Sequence, residues 1–225
     1  MSTLVRKVLG KGIHGHIPFG HMAFIMNPLI VPDKPLMGDA RGYIISSMRP
    51  AASRGLAPWA SPGAHTLVLG SFPSRASLQG ACYYGHPRNH FWPILAAVYG
   101  RDPGQGPDER KAFALERDLA IWDVLASCSR PGSLDQDISL AAPNPLGDFM
   151  EGLPCLERVL LNGSYAARAF QNMRRRGGAG KRDLDSLIAE RNIIVLALPS
   201  TSPVPSRSYR RLEDKLPAWR AALMG

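Results

Sequence analysis

The chain reads TLVL at Thr66–Leu69 and then GSFPSRASLQGACYYGHPRNHFW from Gly70 to Trp92, and this passage decides the fold. A short apolar run with no polar alternation reads as a buried strand. Gly70 ends it, and a loop follows that packs Gly, Ser and Pro around two tyrosines, two histidines, an Asn and an Arg. Ordering such a loop costs conformational entropy and adds little to a core, so its residues serve a site rather than a scaffold. At His86-Pro87-Arg88-Asn89-His90 the polar groups give way to Phe91-Trp92 and the start of a helix.

Outward from this passage, apolar runs and helical stretches alternate. Thr66–Leu69, Ala120–Ala126, Leu156–Leu161 and Ile193–Leu198 read as strands, the last being the most apolar. Phe91–Tyr99, Glu109–Leu119, Tyr165–Met173, Asp183–Glu190 and Ser208–Leu223 read as helices, with Ser164 as an N-cap. Strands separated by helices need crossover connections, which gives an α/β fold with a mainly parallel sheet covered on both faces. Ligands bind such sheets outside the carboxyl ends of the strands. The loops there are Gly70–Ser74, Cys128–Asp137, Asn162–Ser164 and Pro199–Pro203, all rich in Gly, Ser, Asn or Pro and all expected on one rim.

At 225 residues the chain can bury a full core, with one domain and an appendage as the natural division. Residues 1–54 are expected to be a poorly ordered N-terminal extension and 55–225 the working domain. His14, His16 and His21 in the extension have metal-like spacing but no carboxylate or thiolate nearby to complete a site. Met48, shortly before the working domain, is a candidate alternative start of translation. No apolar run is long enough to span a bilayer and the first residues lack a secretory pattern, so a cytoplasmic location is expected. Cys82, Cys128 and Cys155 are too few and too scattered for a disulfide framework, a metal knuckle or an iron–sulfur cluster. Twenty-seven Lys and Arg against eighteen Asp and Glu leave a net charge of +9, which suits a polyanionic partner as well as simple solubility. Arg174-Arg175-Arg176 and Lys181-Arg182 make either a phosphate-facing patch or a solvated Gly-rich loop.

Several residues carry chemistry and each has a plainer reading beside it. Gly70 and Ser71 either bring backbone N–H groups to an anionic or carbonyl oxygen or form a tight turn. Tyr83 and Tyr84 are core aromatics or, given their polar loop, exposed plates on which a planar base stacks. Asn89 holds a water through its amide or caps the helix that begins at Phe91. His86 donates a proton or hydrogen bond or is a satisfied structural histidine. Ser200-Thr201-Ser202, between Pro199 and Pro203, grip a phosphodiester or form a simple turn, and the basic run Arg207, Arg210, Arg211 favours the former.

Taken in order, GLAPWASPGAHTLVLGSFPS, YYGHPRNHFW, IWDVLASCSRPGSLDQDI, LLNGSYAARAF and LPSTSP resemble the uracil-DNA glycosylase superfamily, most closely its hypoxanthine-DNA (deoxyinosine) glycosylase family. The match runs from about Gly55 to the C-terminus. The resemblance implies a three-layer sandwich around a central four-stranded, mainly parallel sheet, with no metal and no cofactor. It implies GSFPS and LPSTSP as first and second motifs, Tyr84 as the plate for the flipped base and Asn89 as the main polar catalytic residue. Gly70, Ser71, Phe72, His86 and Ser133 are then expected at the base, and Ser200, Thr201, Ser202 and Arg207 at the DNA. Ser129 and Asp135 fall in a block resembling the third active-site stretch. Phe72 stands where relatives carry a water-positioning side chain, so no carboxylate is expected beside the first motif. Val204-Pro205 departs from the residues usual in the second motif.

The expected activity is hydrolysis of the N-glycosidic bond of deoxyinosine in DNA, acting as a monomer on DNA containing deaminated bases and leaving an abasic site. Strand cleavage is not expected, since no motif places a Lys to form a Schiff base. The rivals are a uracil or mismatch glycosylase of the same fold, a non-catalytic damaged-DNA-binding module, and a nucleoside hydrolase.

Overall fold

A computed structural model describes residues 52–204 and 208–225. The extension expected over 1–54 therefore lies almost wholly outside the described residues, as do His14, His16, His21 and Arg207. In chain order the elements are β1 (Ser53–Arg54), β2 (Thr66–Gly70), α1 (Arg75–Gln79), α2 (Phe91–Tyr99), α3 (Pro107–Leu115), β3 (Leu119–Asp123) and β4 (Leu125–Ser129). Then come β5 (Ser139–Pro143), α4 (Leu146–Glu151), β6 (Arg158–Asn162), α5 (Ser164–Arg176), α6 (Leu184–Arg191), β7 (Ile194–Leu198) and α7 (Leu212–Met224).

The central sheet has the order β3-β2-β6-β7 and every pairing in it is parallel. This is the expected four-stranded α/β architecture, flanked by helices. β2 and β3 are buried along their whole length, which is why their sequences run apolar without alternation. The chain leaves β2 toward β3 on one side and builds β6 and β7 on the other. Right-handed crossovers running in opposite directions put helices on opposite faces and open a crevice where the direction reverses. Gly70, Asp123 and Asn162 close their strands at the carboxyl edge, beside that crevice.

Several elements depart from the sequence expectation, among them the helix expected over Glu109–Leu119, which ends at Leu115 so that Leu119 opens β3. The run Ala120–Ala126 is two strands, because the backbone leaves the central sheet after Asp123 and pairs antiparallel with β1 and β5 as β4. Val124 and Leu125 are apolar on both sides of that break, so hydropathy carries straight across it. β7, the most apolar strand, sits at the edge of the sheet, with Ile194 55% and Leu196 36% exposed. Ser164 is the first residue of α5 and Gly163 holds the cap position. Gly163 has φ +96°, and a Cβ there would lie 2.9 Å from Ser200 Cβ, so only glycine fits. α2 matches its expected bounds, and Asp183 caps α6 by accepting from the Ser186 N–H at 2.8 Å.

Candidate active site

A cleft of about 680 Å3 opens over the carboxyl ends of the four central strands. That volume suits one planar base with its sugar, within the usual range for small-ligand sites. Each of the four strand-end loops contributes to its lining, from Gly70–Ser74 through Asp123, Ser133–Gln136 and Asn162–Ser164 to Ser200–Ser202.

The floor explains Gly70. A Cβ there would come within 2.4 Å of Asp123 Oδ1 and 3.2 Å of the Tyr84 hydroxyl. Glycine is required by the close approach of two polar side chains rather than by a turn. Asp123 is 3% exposed and its Oδ2 has no hydrogen-bond partner. Burial pushes its carboxyl up to about 8, with the nearby Asp135 adding to the rise and Arg130 opposing it. Tyr84 takes the left-handed backbone conformation at φ +53° and lays its ring on Phe91, with centroids 4.0 Å apart. Its hydroxyl is buried beside the Asn162 amide, and burial followed by the charge of Asp123 raises it above the ordinary tyrosine range, against the pull of Asn162.

Tyr84 thus lines the cleft as a half-buried plate. Tyr83 is a core residue instead, 1% exposed, donating from its hydroxyl to the carbonyls of Leu56 and Ala57. The exposure expected of the pair is realised by neither ring in full.

One wall comes from the first motif. Ser71 donates its hydroxyl to Asp135 Oδ1 at 2.6 Å. Arg130 lies 3.7 Å from the same oxygen, donates to the Pro73 carbonyl, and holds its guanidinium 5.3 Å above the Phe72 ring. Burial raises the Asp135 carboxyl, against the pull of the Ser71 hydrogen bond and the Arg130 charge. The expectation that no carboxylate stands beside the first motif is therefore wrong. Two are there, carried in by β3 and by the loop after β4, because the parallel register sets Gly70 directly against Asp123. A lone acidic residue inside an apolar run was the signal that could have found Asp123.

The opposite wall comes from the HPRN block. Asn89 lines the cleft, and its Oδ1 accepts the Phe91 N–H at 2.9 Å. The cap position of α2 is held by His90, so Asn89 satisfies the first amide of the helix from one position further out, which leaves its NH2 group uncommitted. His86 does not line the cleft. Its Nδ1 accepts the Arg88 N–H at 3.2 Å, as a local structural histidine does.

The second motif is anchored from below. Asn162 donates to Thr201 Oγ1 and accepts the Thr201 N–H, both at 2.8 Å, while the Thr201 carbonyl accepts the His90 N–H at 2.9 Å. Thr201 is fully buried, so it fastens the loop and is removed from the residues expected to meet DNA. Lys215 on α7 is 1% exposed and reaches the Ser202 carbonyl at 2.9 Å and His90 Nδ1 at 3.1 Å. Burial and the Lys215 ammonium hold His90 below its ordinary value, so its neutral ring can accept from that ammonium. Ser200 and Ser202 remain at the cleft, together with Ser133, Arg168 and the exposed Val204. Ser129 is buried and does not line the cleft.

Among the described residues no group of three or more His, Cys, Asp or Glu side chains could hold a metal ion. Among them, too, no helix is long and apolar enough to cross a membrane.

Several known proteins are similar to this chain. The hypoxanthine DNA glycosylase of Methanosarcina barkeri is 31% identical over 144 residues, covering 59% of this chain and 91% of that one. That of Methanosarcina acetivorans is 34% identical over 101 residues, covering 44% and 64%. A solution NMR structure from Methanosarcina acetivorans, described as a candidate uracil DNA glycosylase, has the same fold with a TM-score of 0.60. It is 24% identical and covers 78% of this chain and 100% of its own. The family model of the Uracil DNA glycosylase superfamily matches residues 58–223. Because that match takes in the whole central sheet and all four strand ends around the cleft, the chain belongs to the Uracil DNA glycosylase superfamily.

Proposed function

We propose that the protein is a DNA glycosylase that removes hypoxanthine from deoxyinosine, by extruding the nucleotide and hydrolysing its N-glycosidic bond. The observation that carries this reading is the meeting of Asn89, Tyr84 and the Gly70–Phe72 backbone around one base-sized cleft. Two relatives named hypoxanthine DNA glycosylase support the choice of base. In the reaction the C1′–N9 bond breaks and its electron pair leaves with the base. Water delivers its OH to C1′, and the proton ends on the base.

Each wall has a part in this. Tyr84, backed by Phe91, offers a plate to the extruded base, and base–aromatic stacking is worth about 1–3 kcal/mol. The Ser71 and Phe72 amides face the oxygen or N7 of the purine, and Asn89 orients the water or the base. Asp135, positioned by Ser71 and Arg130, offers negative charge to the sugar once ionised, burial raising its carboxyl against both contacts. Ser200, Ser202 and Ser133 meet the DNA strand at the mouth, with Arg168 and the +9 surplus favouring its phosphates. Extrusion costs a few kcal/mol and least for a poorly paired base, which a deaminated adenine opposite T is.

A gel assay on duplexes carrying inosine, uracil, xanthine or adenine at one position, with alkaline cleavage afterwards, tests the reading. Release of hypoxanthine in preference to uracil, with no strand cleavage before alkali, is the expected result. Preference for uracil would move the protein to the rival same-fold activity. DNA binding without base release would make it a binding module.

A further inference from the structure

The loop after β7 rests on α7, which holds it at both ends. Trp219 donates its indole N–H to the Pro199 carbonyl at 3.0 Å. Lys215, one turn earlier on the same face, donates to the Ser202 carbonyl at 2.9 Å. Both side chains are buried. An indole belongs in a core, but an ammonium taken out of water needs an opposite charge to balance it. Among the described residues no carboxylate pairs with Lys215. Its partners, the Ser202 carbonyl and His90 Nδ1, are neutral. The neighbouring carboxylate of Asp214 is spent on the Arg210 and Arg211 N–H groups, both at 2.9 Å. Burial holds the Lys215 ammonium below the ordinary lysine range, with the charge of Asp214 opposing.

Above this cation the loop presents donors. Ser200 Oγ accepts the Ser202 N–H at 3.2 Å, and Ser202 Oγ accepts the Val204 N–H at 3.3 Å. Each hydroxyl thus spends an acceptor site on the loop's own backbone and keeps its O–H for an acceptor outside. Both serines line the mouth of the cleft. Two outward donors over a buried, unbalanced cation suit an anion, and in a cleft that takes DNA the anion at hand is a backbone phosphate.

We infer that Lys215 is the buried countercharge to one DNA phosphate, the one held by the Ser200 and Ser202 hydroxyls, and that it acts as a positioning residue through the Ser202 peptide group. The assignment rests on the DNA glycosylase reading of the cleft. Burial keeps the ammonium from touching the phosphate, so the attraction works across one peptide unit. Water is excluded from that path, so salt screens the pair less than it would two surface charges. A surface arginine can follow a phosphate wherever it lies, whereas a cation fixed on α7 favours one phosphate in one place. The same ammonium holds His90, the neighbour of Asn89. One charge therefore registers the phosphate site and the HPRN block against each other.

The test is binding of a duplex that carries a tetrahydrofuran abasic analogue, which cannot be turned over, by the parent and by Lys215→Met. Methylphosphonates replace its phosphates one at a time, removing a charge while nearly keeping its size. In the parent, one position beside the abasic analogue should cost about tenfold in affinity. Lys215→Met should bind the unmodified duplex about tenfold more weakly and lose most of the cost at that same position. Its salt dependence should flatten by up to about one phosphate. A merely structural lysine would weaken every duplex by one common factor and leave the position-by-position pattern as in the parent, and that result overturns the assignment. Ammonium NMR spectra of the parent with nitrogen-labelled lysine give a second measurement independent of any variant's folding. The Lys215 signal should shift when the unmodified duplex is added, and shift less when the methylphosphonate stands at the sensitive position. A Lys215 signal that bound duplex leaves unmoved refutes the assignment. A parent that binds no abasic duplex at all would instead fell the DNA glycosylase reading, and this assignment with it.

Discussion

Two buried polar clusters lie under the same cleft, and they are built on opposite terms. Beneath the second motif, Asn162, Thr201, His90 and Lys215 answer one another's hydrogen bonds. Beneath the first motif, Asp123 leaves its Oδ2 open. The first arrangement is what a protein needs to hold a loop still, since each side chain fixes another. The second is affordable only where a ligand arrives, because the folded state carries the cost until then. Satisfied and unsatisfied burial therefore separate scaffold from site more sharply than residue type does. Both clusters contain a hydroxyl and ionisable side chains.

The largest effect should come from breaking the satisfied cluster. Asn162→Ala strips partners from the buried amide and hydroxyl of Thr201 at once. At about 1–3 kcal/mol for each stranded group, the loss should reach roughly 2–4 kcal/mol. In a chain of this size that lowers the melting temperature by on the order of 10 °C. Calorimetry checks it, and an unshifted transition would mean that the loop after β7 is held by other contacts.

The open cluster should respond with the opposite sign. The folded Asp123 carboxyl keeps its proton up to about 8, while the unfolded chain releases it near 3.8. Between those values folding must take up a proton. The contribution of this group is thus most favourable below about 4, declines as pH rises, and stops changing above about 8. Asp123→Asn removes that decline and should raise stability at neutral pH by up to about 4 kcal/mol. Melting curves of both proteins across this range should diverge as pH rises, and parallel curves would show that Asp123 is not protonated in the folded state.

The contrast also explains what the sequence made legible. β2, β6 and α2 were readable because continuous apolar runs and an abrupt polar-to-apolar boundary carry their own positions. The break between β3 and β4 was not, since Val124 and Leu125 continue the apolar run while the backbone changes sheets. β5 was invisible for a different reason, as its residues are all exposed and show no alternation. β7 read as buried because apolarity reports composition, whereas edge or centre is decided by which strands pair. Within the cleft, loop residues such as Ser71 and Asn89 stood out by type. Asp123 did not, because its neighbour Gly70 is 53 positions away in number and adjacent only through parallel register.

Asn89 sits between the two kinds of residue and should give the smallest change in stability. Its Oδ1 is tied to the first amide of α2, as in the satisfied cluster, while its NH2 group belongs to the cleft. Truncation to Ala should cost about 1 kcal/mol of stability, the usual net worth of one hydrogen bond. Loss of the amide should slow base release at least about tenfold, with DNA affinity nearly unchanged, because an interaction made only in the transition state lowers turnover without weakening binding. Asn89→Asp separates the two roles. It keeps an oxygen for the Phe91 N–H, but it replaces the NH2 donor with a second acceptor. Restored melting with slow base release would place the catalytic part on the amide nitrogen. Restored melting together with restored release would reduce Asn89 to a structural residue and shift the chemistry to the first motif.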